Sequence, residues 1–341
     1  MARVTLPLHE IDHLPEEILT LAPRDIRKVF SEPTLIRLEG KTGQPLFVSC
    51  LLHGNETTGF LVLQRLTRWF RKHPLPRPLM IFVGNVHATE AERRRLDQQP
   101  DFNRIWNGGD TPEHDLANRV IEKIAAAKPF AAIDIHNNTG INPLYGCVNR
   151  LDEPFLHLGS LFSPTLVYFE NPPSVISISL SKYCPSITIE AGKPADPLGV
   201  ERAFNLVLDT LHLHHLRQAG VERPLTVFKT IGRMEIDPNS TFSFSPTSDA
   251  ALVFPADMDH WNFSTRKANT HWAKLNQEPN SPLRVFDENR DDVTDRFFRI
   301  QDHTLQLRRD VTPSMITLNS GIIRSDCLGY LMEPVSQTQS A

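Results

Sequence analysis

Residues 45–60 read PLFVSCLLHGNETTGF. The run from Pro45 to Leu52 has the length and apolarity of a strand buried on both faces of a sheet. It stops at His53-Gly54-Asn55-Glu56. From Glu56 to Lys72 apolar residues return at helical spacing, with Phe60, Leu63, Leu66 and Phe70 on one side. A buried strand that feeds an amphipathic helix is the opening unit of an α/β layer.

The same alternation continues along the chain. LMIFVGNV (79–86) is a second strand, and 112–128 is a helix entered at Thr111-Pro112, with Leu116, Val120, Ile121 and Ile124 inward. FAAIDIH (130–136) is a third strand, ITIE (187–190) a short fourth, and 197–216 is helical again. Upstream, Pro15 and Glu16-Glu17 predict a short helix over 14–30. The expected fold is therefore α/β, a mixed and largely parallel sheet flanked by helices, because parallel strands need crossovers of this length. After residue 218 helical periodicity fades. Short runs such as LTVFKTI, AALVF and LRVFD are separated by Pro, Asn, Asp and Gly. This predicts two domains, 1–219 and a smaller β-rich one over 220–341, with the SQTQSA tail frayed.

Composition narrows the function classes. The chain has 341 residues, 40% hydrophobic and 22% charged, which suits a soluble globular protein. Its net charge is −4, so no bulk basic field argues for nucleic acid, and Arg93-Arg94-Arg95 is too short to change that. No stretch has the length and apolarity of a membrane span, and the N-terminus lacks a long apolar signal region. Four scattered cysteines without a CxxC pair fit a reducing compartment and exclude a thiolate zinc knuckle. A cytoplasmic enzyme is expected.

In open α/β sheets ligands bind beyond the carboxyl ends of the strands, and His53, His136 and Glu190 each sit at such an end. His53 and Glu56 form an H-x-x-E pair at a strand-to-helix junction. The pair reads either as two metal ligands or as a polar turn with Glu56 in the first turn of a helix. His136 leaves its strand into Asn137-Asn138-Thr139-Gly140 and is a candidate third ligand or a hydrogen-bonded structural histidine. Asp134, two residues earlier on the same face, is placed to orient it. Glu190 precedes Ala191-Gly192-Lys193 and is a candidate general base, the alternative being a salt bridge with Lys193. Asn103 and Arg104, in Asp101-Phe102-Asn103-Arg104, suit a carboxylate clamp or an irregular surface loop.

H-G-N-E, D-F-N-R, D-I-H-N-N-T and I-E-A-G, in that order over roughly residues 45–215, resemble the succinylglutamate desuccinylase/aspartoacylase group within the zinc carboxypeptidase superfamily. The resemblance implies one zinc per chain bound by His53, Glu56 and His136. It implies Glu190 as general base and acid, and Asn103 and Arg104 as holders of a substrate carboxylate. An upstream arginine that polarises the scissile carbonyl is implied among Arg93, Arg94 and Arg95. Arg94-Arg95-Leu96-Asp97 fits the family's spacing, which favours Arg94. The HNNTGINPLYGC run, with Asn137, is similar to the polar loop that lines the site. The β-rich region corresponds in position to a domain that partly caps the cleft. Two departures stand out. The segment SLSKYCPSIT before Glu190 offers Lys182 where an arginine is expected for a second carboxylate, and no tyrosine of the C-terminal domain matches the family's, although Tyr330 is present there.

The implied activity is zinc-dependent hydrolysis of the linear amide of a small N-acyl amino acid, by a metal-activated water and a glutamate base. A zinc carboxypeptidase acting on short peptides would use the same residues. A non-catalytic binding protein on the same fold is the reading from another class. No nucleic-acid or membrane partner is implied, and a homodimer is compatible with the sequence. His212, His214 and His215 read as polar residues at a helix end, Asp257, Asp259 and His260 as a solvated turn, and Cys50 as an inert core thiol.

Overall fold

The strand at Leu46–Cys50 and its neighbours organise the first half of the molecule. The computed structural model describes residues 5–218, 224–276 and 281–335; the SQTQSA tail lies outside them. The chain divides into two compact units, one of residues 1–138 and 144–225, the other of 139–143 and 226–341.

The first unit carries strands β1 (His9–Ile11), β2 (Thr34–Leu38), β3 (Leu46–Cys50), β4 (Leu79–Val83), β5 (Ala131–His136), β6 (Tyr145–Val148), β7 (Thr165–Tyr168) and β8 (Ser186–Glu190). Their order in the sheet is β1-β2-β4-β3-β5-β8-β6-β7. β4, β3, β5 and β8 are mutually parallel, β2 is antiparallel to β4, and β6 is antiparallel to β8. The sheet is thus mixed and largely parallel. Its helices are α1 (Thr58–Phe70), α2 (Val86–Glu90), α3 (Pro112–Ala127), α4 (Glu153–Phe162), α5 (Ile176–Leu180) and α6 (Pro197–His212). β3, β4 and β8 are buried at every position, as central strands covered on both faces must be. One face packs Phe47, Phe82 and Ala132 against Leu116, Val120 and Ile124 of α3 and Ile176 and Leu180 of α5.

The structure corrects the region 14–30. Two 3₁₀ turns, Glu16–Thr20 and Pro23–Lys28, replace one helix. Pro23 explains the break: the residue before a proline is pushed out of the helical region, and Ala22 lies at φ −79°, ψ 156°. On α1, Phe60, Val62, Leu63 and Leu66 are buried, while Phe70 at the last turn is half-exposed.

The second unit is β-rich. Its strands are β9 (Thr226–Ile236), β10 (Phe242–Ser243), β11 (Leu252–Val253), β12 (His271–Leu275), β13 (Leu283–Phe286), β14 (Phe298–Gln301), β15 (Thr304–Leu307), β16 (Thr312–Ser314) and β17 (Gly329–Pro334). β10-β11-β12-β15-β14 form one sheet, and β9 pairs antiparallel with both β13 and β17. Trp272, Trp261, Phe298 and Leu252 lie in its core. Tyr330 is on β17, opposite Arg233 of β9, and hydrogen-bonds the buried Cys327 thiol. All four cysteines are free. Among the described residues, no helix is long and apolar enough to cross a membrane.

Candidate metal centre

β3 ends at Cys50, and the chain turns sharply through Leu51, whose φ is +57°. That places His53 and Glu56 in a short buried turn, with the Glu56 N–H donating to the His53 carbonyl at 3.1 Å. α1 begins only at Thr58, so Glu56 precedes the helix and is not a first-turn residue. Gly54 is required here: a Cβ would come within 2.2 Å of the Ala88 carbonyl carbon and 2.3 Å of the Thr89 nitrogen in α2. The Gly54 N–H donates to the Arg94 carbonyl at 3.1 Å, which ties this turn to the arginine-bearing loop.

His136 closes β5 in the neighbouring strand, and Glu190 stands beside it in register at the end of β8. His53, Glu56 and His136, all buried, each offer a ligand atom within 4.8 Å of the others. Each imidazole presents Nδ1 to Glu56: His53 to Oε1 at 2.7 Å and His136 to Oε2 at 2.7 Å. Each presents Nε2 to a different aspartate, His53 to Asp101 Oδ1 at 2.9 Å and His136 to Asp134 Oδ2 at 2.7 Å. Asn103 Nδ2 also lies 3.3 Å from His136 Nε2. A proton on Nε2 makes the shorter aspartate contact the bond. Carboxylates on the outer nitrogens hold the tautomer whose Nδ1 lone pair faces inward, which is how metal-binding histidines are oriented. Two inward Nδ1 atoms and one carboxylate form a three-ligand N/O set of the kind that holds a catalytic zinc, in which the fourth position belongs to water or substrate.

The charges agree with that arrangement. Burial pushes Glu56 up, but the two imidazoles beside it hold its carboxyl well below the usual range. Burial pulls His136 down, and Asp134 and Glu56 outweigh it, holding the imidazole well above its ordinary value, so that without an ion Nδ1 carries a proton toward Glu56 that a metal would displace. Asp101 is partly buried, yet His53, Arg94 and Arg104 keep it strongly ionised. Glu190 behaves differently. Burial raises its carboxyl to about 7, only partly offset by His136 and by the Asn138 amide, which donates to Oε2 at 3.4 Å. A carboxylate near neutrality is suited to accept and return a proton. Lys193 lies exposed and does not neutralise it.

The arginine triplet separates cleanly. Arg93 bonds Asp97 at 3.0 Å and Arg95 bonds the Gln99 carbonyl at 2.6 Å, both at the surface. Arg94 turns inward, with Nη2 3.1 Å from Asp101 Oδ2 and Nη1 3.5 Å from Glu56 Oε1. Asn103 is buried, its Oδ1 accepting from the Ile176 N–H at 3.1 Å, and Arg104 donates to the Asn103 carbonyl at 2.7 Å. Asn137 is committed within the protein. Its Oδ1 accepts from the Thr58 N–H, its Nδ2 donates to Thr58 Oγ1 and the Gly192 carbonyl, and its own N–H donates to Glu56 Oε2 at 3.0 Å. These bonds splice β5 to α1 and steady Glu56.

Lys182 is not brought to the site. It is exposed and precedes the start of β8, whereas Glu190 ends that strand, so a five-residue strand separates it from the chemistry. His214 and His215 are exposed, and His212 bonds the Leu208 carbonyl with Nδ1 at 2.8 Å. Among the described residues they join no metal-binding group. Asp101 is the residue whose role the sequence did not reveal. It opens the D-F-N-R motif, but its double bond to His53 and Arg94 depends on a loop path that periodicity does not encode.

Comparison with known proteins places this geometry. Residues 42–207 match the family model described as the succinylglutamate desuccinylase/aspartoacylase catalytic domain. A curated succinylglutamate desuccinylase of Burkholderia orbicola (strain MC0-3) is 36% identical over 91 residues; the match spans 26% of this chain and 26% of that relative. Among solved structures, a succinylglutamate desuccinylase/aspartoacylase from Rhodobacter sphaeroides aligns at TM-score 0.60 and 15% identity, covering 88% of both chains. The succinylglutamate desuccinylase from Chromobacterium violaceum aligns at TM-score 0.56 and 16% identity, covering 87% of this chain and 86% of that one. Murine aminoacylase 3 aligns at 0.56 and 20% identity, covering 86% and 96%. The architecture is the one these structures share. Residues 42–207 are thus similar to the catalytic domain of the succinylglutamate desuccinylase/aspartoacylase family.

Proposed function

We propose that the chain is a zinc-dependent amidohydrolase that removes the acyl group from a small N-acyl amino acid. The observation that carries this reading is the register of β5 and β8. It sets Glu190, with its carboxyl near neutrality, beside His136 of a buried His53–Glu56–His136 cluster. His53 and His136, through Nδ1, and Glu56 would hold the ion, and a bound zinc supplies Lewis acidity and lowers the pKa of water.

The chain's own groups account for the remaining chemistry. Glu190 takes a proton from the attacking water and returns it to the leaving nitrogen. Burial keeps that carboxyl proton-competent near neutral pH, unlike Glu56 and Asp101, which stay ionised. Arg94, held by Asp101, presents a fixed positive charge where negative charge develops on the carbonyl oxygen. Arg104 and Asn103 are the candidate clamp for the substrate carboxylate, with planar guanidinium geometry suited to bidentate contact. Oxygen and nitrogen ligand sets accept several divalent ions, so metal identity is read from the protein itself. The family supports an N-acyl amino acid as substrate, and the names of its relatives point to succinyl and other short acyl groups.

The test is a hydrolysis screen of N-acetyl, N-succinyl and N-formyl amino acids and short peptides, using protein of known zinc content. Turnover of one N-acyl class that is lost in Glu190→Gln supports the reading. Turnover of peptides alone would replace it with a carboxypeptidase, and no turnover with zinc bound would replace it with a binding protein.

A further inference from the structure

Ser49 is the one hydroxyl inside the otherwise apolar strand LFVSC, and it is 0% exposed. A buried hydroxyl without a partner is costly, so its bond is informative. It donates from Oγ to Asp134 Oδ1 at 2.7 Å, across 85 residues of sequence. The register of the sheet makes this contact unavoidable, because Ser49 of β3 stands directly opposite Asp134 of β5. The other oxygen of that carboxylate, Oδ2, accepts from His136 Nε2 at 2.7 Å, and His136 Nδ1 faces Glu56 Oε2 at 2.7 Å. Ser49, Asp134 and His136 thus form a straight chain of short contacts in which every member is at most 3% exposed.

We propose that Ser49 is a positioning residue for the metal centre, acting through Asp134 to set the orientation of His136. The proposal rests on the metal-centre reading above. A carboxylate on a strand can rotate about its last bond. The Ser49 hydroxyl occupies Oδ1 and leaves Oδ2 as the acceptor for the imidazole. With Nε2–H so engaged, the Nδ1 lone pair is fixed toward Glu56 and His53. Partners one contact behind a metal ligand typically change metal affinity by about 10–100-fold when removed. Ser49 is one contact further back, so its removal is expected to cost about tenfold. The role belongs to this strand's register rather than to the H-G-N-E motif, since Ser49 lies before that motif.

The experiment is zinc affinity by competition with a chromophoric chelator, for wild type, Ser49→Ala, Asp134→Asn and the double variant. Thermal melting of each metal-free protein is recorded alongside. The expected result is about a tenfold weaker zinc complex for Ser49→Ala, with little further loss when Ser49→Ala is added to Asp134→Asn. Ser49→Thr, which keeps a hydroxyl, should recover most of the affinity. A merely structural serine would lower the melting temperature and leave zinc affinity within about twofold of wild type, and that result overturns the proposal. An equal loss in the Asp134→Asn background also overturns it, because Ser49 would then act by another route. Should Ser49→Ala fail to fold, Ser49→Cys, with its weaker donor, is read on the same scale, and wild-type affinity in it overturns the proposal. A wild-type protein that binds no zinc overturns the metal centre itself and this proposal with it, which distinguishes the two failures.

Discussion

His53 and His136 present Nδ1 to opposite oxygens of Glu56 and Nε2 to two different aspartates, so the inner and outer nitrogens have separate tasks. Asp101 has the heavier load, because it holds both His53 and Arg94. Asp101→Asn should therefore weaken zinc binding about 10–100-fold and also lower turnover at saturating zinc, measured by chelator competition and by initial rates. A loss confined to one of the two would break the proposed coupling. Glu190 stands apart from the ligands. Glu190→Gln should keep its zinc and lose at least about 100-fold in kcat, the scale of general acid–base catalysis. The same substitution tests burial directly in the metal-free protein. The Glu190 carboxyl sits at about 7 when folded against an ordinary 4.5. Its folded value is raised, so the stability it contributes is present below about pH 4.5 and lost as pH rises through 7. Relative to Glu190→Gln, wild type should lose about 3 kcal/mol of stability between those limits, by urea unfolding at a series of pH values. A stability difference that stays flat with pH would show that Glu190 is not held as an acid.

Strand ends supply the convergence that sequence separation hides. β3, β5 and β8 are parallel, so His136 and Glu190 are neighbours in register and the turn after β3 delivers His53 and Glu56 at the same edge. That turn depends on Gly54, whose Cβ position is filled by the backbone of α2. Gly54→Ala should destabilise the protein by about 1–3 kcal/mol, the usual cost of forced overpacking, seen as a lower urea midpoint. Unchanged stability would mean that the turn and α2 separate easily. The strands at Leu46–Cys50, Leu79–Val83 and Ala131–His136 were legible because strands buried on both faces leave unbroken apolar runs. β6, β7 and α5 were not: they are four or five residues long, and α5 interrupts its apolar residues with two serines, Ser179 donating its hydroxyl to the Trp106 carbonyl. The region 14–30 looked helical because Pro15 and the acidic start at Glu16-Glu17 do not register what Pro23 does to Ala22. Asp101 and Ser49 escaped for a related reason. One sits in an irregular loop and the other in an apolar run, and only the three-dimensional path brings a histidine or a carboxylate to them. Lys182 erred in the opposite direction, since closeness to Glu190 in sequence spans the length of a strand.

At the scale of the whole molecule, a mixed sheet carries the buried His53–Glu56–His136 cluster in one unit and a β-rich core builds the other. With a net charge of −4 overall, a small anionic substrate would be received by local arginines such as Arg94 and Arg104. A ligand that binds only the folded state stabilises it by mass action. Zinc at about 1,000 times its dissociation constant should therefore raise unfolding stability by about 4 kcal/mol. His53→Ala should lose that increment, and its metal-free protein should also be less stable than wild type, since the Glu56 and Asp101 carboxylates are left without the imidazole between them. An equal zinc-induced rise in His53→Ala would place the ion elsewhere. The most direct measurement is elemental analysis of the purified protein beside its His53→Ala variant, both after exposure to zinc and exhaustive dialysis. The account predicts one zinc per chain in the wild type and none in the variant. No zinc in the wild type, or equal zinc in both, would contradict it.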